Sequence, residues 1–116
     1  MYTSKFHNLT ICHLNCQSLN STFQYFADYF SENSYDIITL SETWLHSSTL
    51  FSLFNLKNYN FIHTDRHSRG GGVAMYIRDD IKYDIFSSEI VHPGFEDICI
   101  LNKYKKIKYA IGSIYR

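Results

Sequence analysis

Two short apolar segments on either side of a helix pattern constrain the fold of this chain more than any other feature. Residues Asn8–Leu14 are rich in strand-forming side chains, and Ile37–Leu40 form an apolar run typical of a buried parallel strand. Between them Phe23, Phe26 and Phe30 recur at helical spacing. This order predicts a strand–helix–strand unit with a right-handed crossover.

The helix and the loop after the second strand have predicted limits. Asn20, Ser21 and Thr22 offer N-cap chemistry, and we expect the helix to end near residues 32–34. The polar run Ser47–Thr49 predicts the cap of a short helical turn at Leu50–Leu53.

The rest of the chain predicts a mostly antiparallel series of strands. The predicted strands are Asn58–Thr64, Val73–Ile77, Tyr83–Phe86, Glu96–Leu101 and Lys108–Tyr115. The glycines at 70–72 predict a hairpin between the first two, and residues 102–106 predict a turn between the last two. These elements contain too few helices to cover a sheet on both faces, so we expect an apolar sheet face without a partner layer. We therefore expect residues 1–116 to form an α/β fold that is one part of a larger domain.

Composition limits the possible functions. Eleven basic and eleven acidic side chains balance, so any contact with nucleic acid has to come from a local patch. Cys12, Cys16 and Cys99 lack zinc-site spacing, which favours a reducing intracellular compartment over a disulfide framework. The N-terminus lacks the long apolar run of a signal peptide, and no segment has the length of a membrane span, so no membrane partner is expected.

Polar side chains follow both strands of the strand–helix–strand unit. Asn15 ends the first strand and Glu42 follows the second. Because the carboxyl ends of neighbouring parallel strands meet at one edge of a sheet, we expect these two residues to lie close together. Oxygen ligands suit Mg²⁺, so the pair is a candidate metal site. Taken singly, Glu42 fits a surface carboxylate better than a metal ligand, and Asn15 fits an Asx turn better.

Three other features are candidates for contact with phosphate. Gln17 either touches a phosphate backbone or is an ordinary loop residue, and its sequence context favours an ordinary loop residue. Arg66 and Arg69 stand beside three glycines, where guanidinium groups bind phosphate or simply decorate a solvated hairpin tip. Tyr115 ends the last strand and either donates to a phosphate oxygen or is an ordinary edge tyrosine.

Taken in chain order, these runs resemble the endonuclease/exonuclease/phosphatase superfamily. The runs are Leu14–Ser18, Asp36–Leu45, Asp65–Ile77, Phe95–Glu96 and Ile111–Arg116. The strings SETWL at 41–45, RGGGVAMYI at 69–77 and IYR at 114–116 are most similar to the apurinic-type endonuclease domain of non-LTR (LINE-type) retrotransposons.

The resemblance implies a DNase I-like two-sheet α/β sandwich, of which the chain corresponds to about the N-terminal half. It also implies Mg²⁺-dependent hydrolysis of phosphodiesters, with DNA as the partner and the nicked strand priming reverse transcription. A reverse transcriptase domain and the C-terminal half are further implied partners. A nuclear location is implied by the resemblance alone.

The resemblance also implies roles for single residues. By motif, Asn15 is the active-site asparagine and a metal contact, Glu42 is the metal-binding glutamate, and Tyr115 lies near the scissile phosphate. The hairpin from Arg66 to Gly72 matches a structural and DNA-facing element of the family, and the candidate DNA-binding residues are Gln17, Arg66 and Arg69.

The family's later motifs do not occur in the sequence. These are a Gly-Asp-Phe-Asn run and a Ser-Asp-His run, whose side chains orient or deprotonate the attacking water. We therefore expect no appreciable DNA cleavage by this chain alone, and poor solubility or self-association of an incomplete sandwich. Two alternatives remain open, a phosphatase of the same superfamily and a non-catalytic remnant that binds a partner.

Overall fold

The computed structural model describes residues 2–6, 9–46, 49–64, 71–86, 96–104 and 107–115. Its helix is α1 (Leu19–Glu32), and its strands are β1 (Tyr2–Phe6), β2 (Leu9–Asn15), β3 (Ile37–Ser41), β4 (Tyr59–Thr64), β5 (Val73–Arg78), β6 (Tyr83–Phe86), β7 (Glu96–Tyr104) and β8 (Ile107–Tyr115). A short 3₁₀ turn, Phe51–Phe54, precedes β4. Within these residues, no helix is long and apolar enough to cross a bilayer.

The strands form two sheets. Five strands make one sheet in the order β1-β2-β3-β5-β4, and three make the other in the order β6-β7-β8. Strands β2 and β3 are parallel, and the other neighbouring pairs are antiparallel. The predicted strand–helix–strand opening, the hairpin of β4 with β5 and the antiparallel tail are therefore confirmed. The α/β fold with two sheets is confirmed as well.

The start of α1 differs from the prediction. Ser18, not the segment Asn20–Thr22, is the N-cap, and its hydroxyl accepts a hydrogen bond from the Ser21 amide at 3.4 Å. The Thr22 hydroxyl donates back to the Ser18 carbonyl oxygen at 2.9 Å. The helix cap therefore lies two to four residues earlier than predicted, and Ser21 and Thr22 belong to the first turn of the helix instead of preceding it.

Other boundaries also differ. Strand β1 was not predicted, and it pairs antiparallel with β2. Strand β7 continues to Tyr104, so the predicted turn at 102–106 begins too early. The N-cap of the 3₁₀ turn is Leu50, which makes no side-chain capping hydrogen bond. The prediction that Thr49 caps this turn is therefore wrong. The Thr49 hydroxyl instead accepts from the His46 amide at 3.0 Å, whereas residues 47 and 48 lie outside the described residues.

Aromatic side chains fill the core between α1 and the five-stranded sheet. Phe26 of α1 packs on Tyr76 of β5 with ring centroids 5.3 Å apart, and Phe30 packs on Phe26 at 4.7 Å. Tyr76 is fully buried, and its hydroxyl donates to the carbonyl oxygen of Phe54 at 2.6 Å. This hydrogen bond links the 3₁₀ turn to the core and gives the buried Tyr76 hydroxyl a hydrogen-bond partner.

The opposite face of the five-stranded sheet packs against the second sheet. Its apolar cluster consists of Leu9, Ile37, Val73, Met75 and Ile77, with Ile100 of β7 buried among them and Ile111 of β8 packed against them. The expectation of an uncovered face is therefore wrong for this sheet, because α1 covers one side and β7 and β8 cover the other. The predicted self-association stays a prediction.

Candidate functional site

The sheet face that meets the second sheet becomes polar toward the carboxyl ends of β2 and β3. Because side chains alternate along a strand, this face carries Leu9, Ile11, His13 and Asn15 on β2 and Ile37, Thr39 and Ser41 on β3. The His13 ring nitrogen Nδ1 lies 2.7 Å from the Thr39 hydroxyl, so the polar row is hydrogen-bonded across the two strands. The interior between the sheets thus opens into a polar edge.

Asn15 and Glu42 lie at this edge on neighbouring strands. Asn15 is the register partner of Ser41, the residue before Glu42. Since adjacent strands lie about 5 Å apart, the backbones of residues 15 and 42 are close enough for both side chains to serve one site. Asn15 is exposed and Glu42 is partly buried. The structure therefore places the backbones of the two predicted residues on neighbouring strands at this edge, and their sharing of one site stays a prediction.

The backbone of residues 42–44 is held on both sides. On one side, Ser18 donates to the Glu42 carbonyl oxygen and Leu19 to the Thr43 carbonyl oxygen, each at 2.9 Å. On the other side, the Thr43 amide donates to Gly72 at 3.3 Å and the Trp44 amide to Gly71 at 2.9 Å. These bonds continue the sheet pairing beyond the end of β3, so Glu42 is carried by a fixed segment and not by a free loop.

Unusual backbone conformations concentrate at this edge. Among the described residues, five that are not glycine have positive φ, and four of them are Gln17 (43°), Ser18 (81°), Glu42 (54°) and Trp44 (56°). The left-handed region is unfavourable for such residues, and strain of this kind is typical of functional sites. At Glu42 the positive φ ends the regular strand geometry that β3 keeps up to Ser41.

Thr43 and Gly72 make the tightest contact behind Glu42. Thr43 is 1% exposed, and its hydroxyl is buried without a hydrogen-bond partner among the described residues. Gly72 has φ 89°, and a Cβ atom added there would lie 2.5 Å from the Thr43 hydroxyl oxygen. Only glycine fits this position, because both its backbone conformation and the space are closed to a side chain.

Burial shifts two titratable groups near the edge. It lowers the pKa of His13, which favours the neutral ring that pairs with Thr39. It raises the pKa of Cys16 to about 12, so the thiol stays protonated beside the carbonyl oxygens of Ser41 and Glu42, each 3.4 Å from the sulfur. Both shifts follow from the cost of charging a group away from water.

The other predicted site residues are placed as follows. Gln17 is exposed in the segment between β2 and α1, next to the Asn15 end of the site. Arg66 and Arg69 fall at positions 65–70, outside the described residues. Tyr115 ends β8 and pairs through its backbone with Glu96, while its side chain lies outside the described part of the chain.

The oxygen ligands available at this edge suit a hard cation that takes only a few of its ligands from the protein. Within the described residues, no cluster of three His, Cys, Asp or Glu side chains is present. Mg²⁺ does not require one, since it is commonly held by one or two carboxylates and keeps several waters. One glutamate carboxylate with an exposed amide oxygen beside it fits that preference.

A groove lies on the helix side of the sheet. It encloses about 280 Å³ and is lined mainly by aromatic and aliphatic side chains of β2 and α1, including Leu14, Tyr25, Phe26 and Tyr29. Asn15 also lines this groove, so the groove reaches the candidate site at the end of β2.

Sequence reasoning missed three of the residues that shape this edge. In the sequence, Thr43 and Trp44 stand out only as parts of the SETWL string, and Gly72 only as part of the glycine run. The glycine run was the available signal, because glycine is the residue expected where a backbone must adopt positive φ or approach another closely. The contact it makes with Thr43 joins positions 29 residues apart, which local patterns do not encode.

Comparisons with known proteins agree with this architecture. Residues 12–109 match the model of the family described as the endonuclease/exonuclease/phosphatase family. No curated protein sequence matches the chain significantly.

Several solved structures have the same fold. An AP endonuclease from Leishmania major superposes with a TM-score of 0.72 at 14% identity, covering 90% of this chain and 39% of its own. A 3′ phosphatase from Neisseria, bound to a product DNA hairpin, gives 0.58 at 17% identity, covering 86% and 39%. An AP endonuclease from Archaeoglobus fulgidus gives 0.56 at 19% identity, covering 88% and 39%. The chain thus spans about 39% of the length of these structures.

Proposed function

Because the chain belongs to the endonuclease/exonuclease/phosphatase family, we propose that it supplies the metal-binding edge of a Mg²⁺-dependent DNA endonuclease of the non-LTR retrotransposon type. The observation that carries the proposal is the position of Asn15 and Glu42 at the ends of neighbouring parallel strands. DNA as the substrate is supported by the structural neighbours, two of which are named AP endonucleases and one of which holds product DNA. The retrotransposon type is supported by the sequence strings SETWL, RGGGVAMYI and IYR.

Each side chain has a defined task in this proposal. The Glu42 carboxylate binds the cation, and the Asn15 amide donates to a phosphate oxygen or accepts from the water shell of the cation. A Mg²⁺ ion held there would supply positive charge next to the phosphate oxygens. The hydrogen bonds from the Ser18 amide and to the Gly72 carbonyl oxygen hold the Glu42 segment in place before substrate arrives, so little reorganisation is needed on binding.

Metal binding tests the proposal directly. Mn²⁺ serves as the probe, because its binding to the full chain is measured by electron paramagnetic resonance. We expect Glu42→Gln to weaken Mn²⁺ binding by at least about 10-fold, since even changes outside the first ligand shell cost about 10- to 100-fold. The matched control is Glu32→Gln, an exposed glutamate at the end of α1, which should leave the affinity unchanged. Equal affinities of the parent and Glu42→Gln would overturn the assignment.

Cleavage is a separate question. The sequence lacks the family's later motifs with their catalytic aspartate and histidine, so we propose that this chain alone does not nick plasmid DNA in Mg²⁺ at an appreciable rate. Nicking that disappears in Glu42→Ala would show the opposite.

The second candidate is a non-catalytic remnant that binds a partner. Mn²⁺ binding that depends on Glu42 favours the endonuclease proposal over this candidate, since a remnant has no need of the metal site.

A further inference from the structure

Trp44 is the one tryptophan of the chain, and the fold keeps it accessible to solvent. Its side chain is 46% exposed, whereas its neighbours Thr43 and Leu45 are 1% and 3% exposed. Burial of both neighbours fixes the backbone and leaves the indole ring outside. The exposed ring is therefore a result of how this segment is anchored, and not of a loose loop.

The backbone of Trp44 is held in an unfavourable conformation. Its φ is 56°, a left-handed value that a bulky residue adopts only when the surroundings impose it. The bond from its amide to the Gly71 carbonyl oxygen at 2.9 Å, together with the buried Thr43 next to it, imposes that value. A rigid aromatic ring presented in this way loses little conformational entropy when a ligand covers it.

The position of the ring relates it to the candidate metal edge. Trp44 follows Glu42 by two residues, so their Cα atoms are at most about 7 Å apart. Stacked bases along one DNA strand are separated by about 3.4 Å, so this distance corresponds to about two nucleotides. When a phosphate of a DNA strand lies at Glu42, the neighbouring bases or sugars of that DNA strand therefore lie close enough to contact Trp44.

We propose that Trp44 stacks on an accessible base of the DNA next to the phosphate held at the Asn15–Glu42 edge. This inference rests on the proposed function, because it takes DNA as the ligand of that edge. An aromatic face suits a base of any sequence, and stacking does not depend on net charge. That matters for this chain, whose eleven basic and eleven acidic side chains give no overall attraction to DNA.

The sole tryptophan provides its own readout. The full chain is titrated with a short single-stranded oligonucleotide in Mg²⁺ while indole fluorescence is recorded, and binding is followed in parallel by the anisotropy of labelled DNA. We expect quenching that saturates with the anisotropy signal. We also expect Trp44→Ala to weaken binding about 5- to 100-fold and Trp44→Phe to retain most of the affinity.

Two controls separate stacking from other effects. Ile85→Ala removes an apolar side chain that is 61% exposed on β6 and should leave DNA binding unchanged. Because stacking releases no counterions, the slope of affinity against salt concentration should be the same in Trp44→Ala and the parent. Circular dichroism of Trp44→Ala should match that of the parent, since the side chain is half exposed.

The possible outcomes are distinct. DNA binding without a change in indole fluorescence, or equal binding by Trp44→Ala, overturns the stacking role and leaves the proposed function standing. A change in indole fluorescence when the protein is diluted without DNA shows that a second copy of the chain covers Trp44. That result also overturns the stacking role. A parent chain that binds no DNA at all overturns both proposals.

Discussion

The contact between Gly72 and Thr43 gives the sharpest prediction for this structure. In Gly72→Ala, the new methyl carbon would lie 2.5 Å from the Thr43 hydroxyl oxygen, closer than such atoms approach in real structures. The Thr43 side chain is buried, so it cannot swing into solvent to relieve the contact. The segment after β3 and the segment before β5 must therefore move apart. Because Thr43 directly follows Glu42, this movement displaces the segment that carries Glu42.

The expected cost has two parts. An alanine at φ 89° loses about 1–2 kcal/mol relative to glycine, because its Cβ atom meets the following carbonyl oxygen. Overpacking in a closed interior adds about 1–3 kcal/mol. Together these lower the free energy of unfolding by about 2–5 kcal/mol, a large share of the 5–15 kcal/mol typical of a domain.

A double-mutant cycle separates the two parts. Thr43→Ala removes the hydroxyl that meets the new methyl group, so Gly72→Ala in that background should cost only the backbone part. Urea unfolding followed by circular dichroism measures all four proteins. Gly112→Ala, at an exposed strand position without positive φ, serves as the control and should leave stability unchanged or raise it by at most about 1 kcal/mol.

Two results would refute this reasoning. Gly72→Ala as stable as the parent within about 0.5 kcal/mol would mean that the close contact does not exist in solution. An equal loss with and without the Thr43 hydroxyl would mean that the two positions are not coupled, and the cost would then be entirely backbone strain.

Two further predictions follow from buried polar groups. Burial raises the pKa of Cys16 from 9.0 to about 12, so the unfolded thiol ionises first and stability is retained below pH 9 and falls between pH 9 and 12. Unfolding in urea should show this loss, at most about 1.4 kcal/mol per pH unit, and Cys16→Ala should remove that part of the slope. Tyr76→Phe deletes the 2.6 Å bond to the Phe54 carbonyl oxygen and should cost about 1–3 kcal/mol in thermal or urea unfolding, because that carbonyl is left buried and unpaired. Tyr25→Phe, at a site 80% exposed, should have no measurable effect, and equal stabilities of the two variants would contradict the role of the buried bond.

The local patterns of the sequence determined the strand–helix–strand opening and the edge where the candidate site lies. Helical spacing of Phe23, Phe26 and Phe30 reports burial on one side, and Phe26 and Phe30 are indeed buried against the sheet. The apolar run at Ile37–Leu40 indicates a strand covered on both faces, which β3 is. Since parallel strands align their carboxyl ends, the proximity of Asn15 and Glu42 followed from strand order alone.

The tertiary structure alone decided what covers the sheet and how Glu42 and Trp44 are presented. Ile100 closes the inner face from a strand far along the chain, and no periodicity indicates which face a distant strand will meet. The left-handed backbone of Glu42 and Trp44 is imposed by hydrogen bonds from Ser18 and to Gly71, segments separated in sequence by more than 20 residues. Local propensity disfavours that conformation, so only contacts formed in the folded chain can select it.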